Sequence, residues 1–429
     1  MKASRIKDRI HSGKFDKTLT LLYGKERLAE QRQRYIHLID NFTSLYGDLE
    51  VSLFSVPGRS EISGNHTDHN HGKVLAASVD IDIIAVAAKT KEPVIRIKSE
   101  GYREDVVDIR ALDPAHVRKN SSSAIIAGIC DGFRKKGYAY GGFLACTTSD
   151  VLSGSGLSSS AAFEVMCGNI LSHLYNDGQI PLMEIAKVGK YAENVFFGKP
   201  CGLLDQAACA HGGFLYMDFE NNDSPVKEKL TFNPAEYGYL LCIVNTGGNH
   251  ADLTDDYASV PKEMKACASL MGKTVLREVD EADFVTRISY LRGIVGDRAI
   301  LRALHFFKEN ERVEKQRRAI KEKDINTFLS LVSESGNSSF RFLQNVYTNK
   351  NVEEQGLSLA LAVSERLGVV CRVHGGGFAG TIQSYVPNDK KDEYKKALEG
   401  VFGASACMFL KVRPYGAVRF DEENIYEGV

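Results

Sequence analysis

The 429 residues are 43% hydrophobic and 25% charged, with 54 basic side chains against 55 acidic ones. A net charge of -1 excludes a general attraction to nucleic acid or an anionic membrane, and no run reaches the ~18 apolar residues of a bilayer-spanning helix. The length exceeds one ordinary core, so two domains of roughly 200 residues each are expected.

The N-terminal MKASRIKDRIHSGKFDK is charged and has no apolar run behind it, unlike a secretory signal. Leu28, Tyr35, Ile39, Phe42 and Tyr46 recur at helical spacing and predict an amphipathic helix over residues 25–46. The strand-like VSLFSV then leads into a glycine-containing stretch at Gly58. Residues 74–109 cluster β-branched side chains and read as several strands, and helices are expected over 121–136, 158–176 and 182–197. YLLCIVNT at 239–246 reads as a strand, and the pattern from there to residue 350 is helical and charged. The end of the chain reads helix (352–367), strand (VVCRVHG), strand (TIQSYV), helix (389–401) and strand (CMFLKV). Hairpins and helices without a regular βαβ alternation predict an α+β fold, divided into residues 1–235 and 236–429. The nine cysteines are scattered and include no CxxC pair. That spacing suits reduced thiols in a cytoplasmic protein better than a zinc ribbon or a disulfide framework.

Three separated segments carry chemistry. The first, PGRSEISGNHTDHNHG at 57–72, sets Arg59, Asp68 and three histidines in one turn-rich stretch that can hold polar groups around a hydroxylated ligand. A solvated loop is the plain alternative, and His66, Asp68, His69 and His71 are also competent metal ligands. The second, LSGSGLSSSAA at 152–162, has glycines that let backbone N–H groups approach an anion, ahead of a helix-forming run. Phosphate is expected at that helix start, although the segment ends neither like a Walker loop nor like a dinucleotide fingerprint. The third, RVHGGGFAGT at 372–381, holds four glycines where backbone must bend sharply or pack closely.

Together these segments resemble the GHMP kinases, whose motifs occur in this order, and within them the galactokinases. PGRSEISGNHTDHNHGKVL is similar to the galactokinase signature in which P-G-R precedes an I-G-E-H-x-D-Y run. The resemblance extends to Ala192-Glu193-Asn194, to CGLLDQ at 201–206 and to the Asp256-Tyr257 region. It implies a two-domain kinase with ATP and a sugar meeting in the cleft between domains, and transfer of the γ-phosphoryl group to the anomeric hydroxyl of galactose. On that resemblance Asp205 is the candidate base and Arg59 its partner. Asn65, His66, Asp68, Gly202 and Tyr257 match sugar contacts, together with Arg59 and Asp205. Gly154, Ser155, Gly156, Leu157, Ser158, Ser159 and Ser160 match the triphosphate loop, and Ser160 and Glu193 match the Mg²⁺ ligands. The expected partners are the sugar and ATP, with no nucleic acid and no membrane; oligomeric state is left open.

Several positions depart from the pattern. Asn65 stands where galactokinases carry a glutamate that accepts from the sugar's C6 hydroxyl, and His69 replaces a tyrosine. There is no tryptophan, SSSAIIAG occupies 121–128 where some galactokinases use aromatics, and Leu152 stands near a missing second-motif proline. A neutral amide can donate to a carboxylate, and galacturonate kinases, which resemble galactokinases, read H-x-D-H as residues 66–69 do. Galacturonate, or another C6-modified or 2-amino galactose-type sugar, is therefore an alternative substrate. A catalytically weak sugar and ATP sensor is an alternative of another class. The N-terminal helix is expected either to cap the sugar-binding part or to mediate self-association.

Overall fold

β-Branched and alanine-rich sequence over residues 52–89 builds the two longest strands, and the larger of two sheets assembles on them. The computed structural model of the chain describes residues 1–151, 156–199, 201–222, 224–248 and 253–428. β1 (Ser52–Ser63) pairs antiparallel with β2 (Lys73–Lys89), from Ser52↔Ala87 to Ser63↔Leu75. The register slips between Pro57 and Arg59. A proline cannot donate to a ladder, and a bulge at that point re-aims the arginine that follows. The other strands of the first half are β3 (Val94–Ser99), β4 (Asp105–Asp108), β5 (Phe143–Ser149), β6 (Phe214–Asp218) and β7 (Val226–Leu230).

The second half supplies β8 (Tyr239–Asn245), β9 (Val370–Val373), β10 (Thr381–Pro387), β11 (Cys407–Leu410), β12 (Val418–Phe420) and β13 (Ile425–Glu427). Among the described residues the larger sheet runs β13-β12-β1-β2-β5-β3-β4, with β6 paired to the first residues of β2 and β7 paired to β6; the smaller runs β11-β8-β10-β9. The chain thus passes to the second sheet at Tyr239, and its last strands return to the first, pairing Leu53 with Phe420. The expected second domain, residues 236–429, therefore contributes β12 and β13 to the first sheet, where they cover the edge of β1.

Alternation along β1 and β2 sends side chains to two faces. Phe54, Val56, Ala85 and Ala87 face the helices Ser122–Lys135, Ser159–Tyr175, Leu182–Tyr191 and Leu204–His211. The opposite face has two covers. Leu53, Ile84 and Val86 lie under the N-terminal helices Ala3–His11, Asp16–Tyr23 and Leu28–Tyr46. Leu75, Ala77 and Val79 lie against Leu241, Ile243 and Tyr385 of the smaller sheet and the helix Ile325–Ser338. The N-terminal segment is a cap on the back of the sheet. It is fastened by a buried polar knot in which Asp82 accepts from the Tyr23 hydroxyl (2.6 Å), Arg34 (2.6 Å) and Arg413 (3.0 Å).

The helix expected over 182–197 stops being α-helical at Tyr191 and widens into a π-helical turn, Ala192–Phe197, that carries Glu193. Such turns insert one residue per turn and re-aim the side chains they hold. Among the described residues no helix is long and apolar enough to cross a membrane.

Candidate active site

β1 delivers Arg59 and the start of the helix Leu204–His211 delivers Asp205, and the two meet as a bidentate pair. Arg59 Nε donates to Asp205 Oδ1 and Nη2 to Oδ2, both at 2.7 Å. Arg59 Nη1 reaches the Gly156 carbonyl and the Ser158 hydroxyl donates to Asp205 Oδ2. Burial alone would raise the Asp205 carboxyl; the Arg59 charge and the hydrogen bonds from Arg59 and Ser158 outweigh it and hold the group below the usual carboxylate range. The Asp205 side chain keeps 35% of its surface open while that of Arg59 keeps 9%. The arrangement is a fixed cation behind an ionised, reachable carboxylate.

The second motif starts a helix. Ser158 takes a left-handed backbone (φ 63°) just before the helix Ser159–Tyr175, and Gly156 also has positive φ (73°). A 17-residue helix points its free N–H groups and positive dipole end at this turn. Leu157 is buried and its carbonyl accepts from Arg59 N at 3.1 Å, so the turn is docked on β1. A side chain at Gly58 would come within 2.9 Å of that carbonyl, which explains the glycine. Gly154 and Ser155, also expected on phosphate, lie outside the described residues, as does Leu152.

Ser160 and Glu193, expected to hold a metal, are brought together: Ser160 Oγ stands 3.5 Å from Glu193 Oε1. Two further residues, missed in the sequence, complete the cluster. Ser160 donates to Glu164 Oε1 at 2.8 Å, and Gln206 Nε2 donates to Glu164 Oε2 (2.9 Å) and Glu193 Oε2 (3.1 Å). Burial and the neighbouring Glu193 charge push the Glu164 carboxyl up to about 8. The available signal was the i,i+4 spacing of Ser160 and Glu164 on a helix.

Of the residues expected to contact a sugar, His66 and Tyr257 converge on the third motif. His66 Nε2 donates to the Gly376 carbonyl at 3.0 Å, and burial pushes its pKa down to about 4, so the ring is neutral with Nδ1 left as an acceptor. The Tyr257 hydroxyl donates to the Gly377 carbonyl at 2.8 Å while its ring meets Phe378 edge-on. Asp68 and Gly202 face each other so closely that a Cβ on Gly202 would overlap Asp68 Oδ2. Both line a cavity of about 180 Å³ that also exposes Lys190, Phe219 and Asn222.

Asn65 requires a correction. It is fully buried, its Nδ2 donates to Glu61 (2.9 Å) and the Gly375 carbonyl (2.7 Å), and its Oδ1 accepts from Asn345 (2.7 Å). Both amide hydrogens are spent inside the protein, so Asn65 has no donor to offer a sugar hydroxyl or a carboxylate. Glu61 in turn pairs with the buried Arg372 at 2.9 Å. The residue ties the first motif to the third and does not read the ligand. The metal reading of the first loop also fails: among the described residues no group of three His, Cys, Asp or Glu could hold an ion, and His71 is hydrogen-bonded to Asn222 instead. His374, which the sequence left unassigned, bonds Ser60 and Thr381 at 3.0 Å each and backs Gly156, locking the third motif against the serine turn.

Comparison with known proteins places these residues in a family frame. Residues 121–213 match the GHMP kinases N terminal domain, and residues 40–89 match the galactokinase galactose-binding signature. The chain is 30% identical over 366 residues to a galactokinase of Actinobacillus pleuropneumoniae, covering 83% of this chain and 91% of that one. It is 29% identical over 379 residues to a galactokinase of Streptomyces coelicolor, covering 87% and 94%. Among solved structures, the Lactococcus lactis galactokinase complexed with galactose superposes with a TM-score of 0.76 at 24% identity, covering 88% of this chain and 97% of that one. The Methanococcus jannaschii mevalonate kinase gives a TM-score of 0.59 at 16% identity over 85% and 98%. These likenesses agree with the two-sheet α+β architecture.

Proposed function

The chain belongs to the galactokinase family of GHMP kinases, and from that premise we propose that it transfers the γ-phosphoryl group of ATP to the anomeric hydroxyl of galactose. The observation that carries the reading is the Arg59–Asp205 pair beside the serine turn, at 2.7 Å. Asp205, held ionised, accepts the hydrogen of the C1 hydroxyl and orients its oxygen toward the γ-phosphorus. Both Asp205 oxygens already accept from protein, yet a carboxylate has about four lone-pair sites, so one remains for the sugar. Phosphoryl transfer asks mainly for positioning and charge neutralisation, which the Arg59 guanidinium and the N–H groups of the helix Ser159–Tyr175 provide.

His66, Asp68, Gly202 and Tyr257 hold the hexose, while Gly156, Leu157, Ser158 and Ser159 face the triphosphate, with Gly154 and Ser155 on the same loop. Asn65 is excluded from the sugar set by its saturated amide, and with it goes the amide donor expected for a C6 carboxylate.

Ser160 and Glu193 fit a magnesium ion: two cis ligands at about 2.1 Å from one ion stand about 3 Å apart, close to the 3.5 Å found. The metal, when bound, screens the phosphate oxygens. Nine unpaired cysteines support a cytoplasmic setting. A division into residues 1–235 and 236–429, with β12 and β13 exchanged back, is supported by the two sheets.

The test is ATP consumption against galactose, N-acetylgalactosamine, galacturonate, glucuronate and arabinose. Galactose is expected to lead by kcat/KM; silence across the panel, with ATP still bound, sinks the proposal in favour of a sensor.

A further inference from the structure

We propose that Glu164 is a positioning residue that aims the metal-binding lone pairs of Ser160 and, through Gln206, the carboxylate of Glu193. The inference rests on the reading of Ser160 and Glu193 as metal ligands. A hydroxyl turns its lone pairs to a cation only while its single hydrogen points away from it, and a fixed acceptor holds the hydrogen in that direction. In this structure Ser160 Oγ donates that hydrogen to Glu164 Oε1 at 2.8 Å, an oxygen of a fully buried carboxyl group that cannot swing out to solvent. The other Glu164 oxygen takes one hydrogen of Gln206 Nε2 at 2.9 Å, and the second hydrogen goes to Glu193 Oε2 at 3.1 Å. With Oε2 held, Glu193 Oε1 is the oxygen that faces Ser160. Gln206 directly follows Asp205, so the same clamp fixes the metal ligands relative to the helix turn that holds the carboxylate beside Arg59. Outer partners of this kind typically set metal affinity by about 10–100-fold.

The test is nucleotide affinity with and without metal, read by calorimetry in the full-length protein. Glu164→Gln is nearly isosteric, but its amide turns one of the two acceptors into a donor that faces another donor. The ratio of ATP affinity in Mg²⁺ to that in EDTA is expected to fall about 10–100-fold, with metal-free affinity within twofold of wild type. Ser160→Ala and Glu193→Gln run alongside. If these two lose the metal enhancement and Glu164→Gln keeps it, the positioning role is wrong and the ligand reading stands. If all three keep it, the ligand reading is wrong and takes this inference with it. Equal loss in both conditions for Glu164→Gln marks a merely structural residue and also overturns the proposal. Should the glutamine variant not fold, Glu164→Asp keeps the charge, withdraws the acceptor by one methylene and is read the same way.

The cavity beside Asp68 carries a second assignment independently: we infer that Lys190 is a sugar contact. Lys190 lines the same space of about 180 Å³ as Asp68 and Gly202, and makes no hydrogen bond or ion pair among the described residues. Its helix neighbour Lys187 pairs with Glu184 at 3.1 Å, and Lys199 with Glu193 at 3.6 Å. A sugar hydroxyl donates once and accepts twice, so it is matched by a carboxylate on one side and an ammonium on the other. The assignment rests on the galactose-phosphorylating activity proposed above, so wild type is measured in parallel. Lys190→Met is expected to raise the KM for galactose about tenfold or more, with kcat and the KM for ATP little changed. A galactose KM within twofold of wild type overturns the contact, whereas wild type idle on galactose overturns the activity.

Discussion

Replacing Gly202 by alanine tests the sugar side of the site with a single methyl group. The Gly202 backbone does not need the left-handed region, so alanine is acceptable in conformation and only its side chain matters. The new Cβ would overlap Asp68 Oδ2 and lie 3.2 Å from Cγ. An ordinary contact requires Oδ2 to withdraw by about 1 Å. The Asp68 side chain is 16% exposed and can rotate to do so, which keeps the cost to folding small. A misplacement of about 1 Å in a substrate-holding group typically costs on the order of 100-fold in rate, equivalent to about 2.7 kcal/mol of transition-state stabilisation. Initial rates of ADP release against galactose concentration are expected to show kcat/KM reduced by about 100-fold, with ATP affinity unchanged because the serine turn is untouched. If kcat/KM stays within threefold of wild type, Asp68 does not hold the sugar from this position. Parallel loss of ATP affinity would point instead to a collapse of the whole site.

Asp205→Asn is expected to lower kcat by about 10²–10⁴ while calorimetric ATP affinity stays at the wild-type value; substantial residual turnover moves the proton acceptor elsewhere. The Asp205 carboxyl is depressed in the folded protein, so its ionised form persists above that depressed value and is lost as pH falls through it. The acid limb of kcat/KM in wild type should therefore lie below the usual carboxylate pKa of about 4, and move upward in Arg59→Gln; an unmoved limb removes the pairing from the mechanism. Asn65→Ala removes one acceptor of Asn345 and the amide donor to the Gly375 carbonyl, so urea unfolding should register a loss of about 2–4 kcal/mol with sugar selectivity unaltered; a changed selectivity at unchanged stability would restore Asn65 to the sugar. Arg413→Leu breaks the buried knot at Asp82 and should cost about 3–5 kcal/mol. Asp82 is held low by Arg34 and Arg413 against the opposing effect of burial, so its contribution is present above the unfolded pKa and lost as pH falls through the folded one. The variant should show a shallower acid decline of stability, and an unchanged slope would contradict the coupling.

The elements that the sequence announced are those whose periodicity is local. The amphipathic pattern around Tyr35 and Phe42 gave the long N-terminal helix, and the run of β-branched residues gave β2 through β4. The approach of Arg59 to Asp205 was also legible, because a kinase of this family needs a carboxylate and a cation at one point. Asn65 was misread because what decides its orientation lies far away in sequence. The Gly375 carbonyl, 310 residues on, and Asn345, 280 residues on, take up its amide. A sequence carries no local sign of such a partner. The widening of the helix at Ala192 escaped for a related reason, since the apolar spacing through residues 182–197 suits an ordinary helix. Glu164 was passed over as one more polar residue on a helix whose other neighbours, Phe163 and Val165, pack inward.

The return of β12 to the edge of β1 bears on how the molecule is made. Leu53 and Phe420 are neighbours in one ladder, yet they leave the ribosome hundreds of residues apart. At synthesis rates of about 5–20 residues per second, the edge of β1 waits tens of seconds for its partner. Throughout that interval a strand edge flanked by apolar surface is open to other nascent chains. Cells that lose the last dozen residues to premature termination would then make a product with its active-site residues present and its first sheet unsealed, and chaperone occupancy of that truncated chain would report how long the edge stays open.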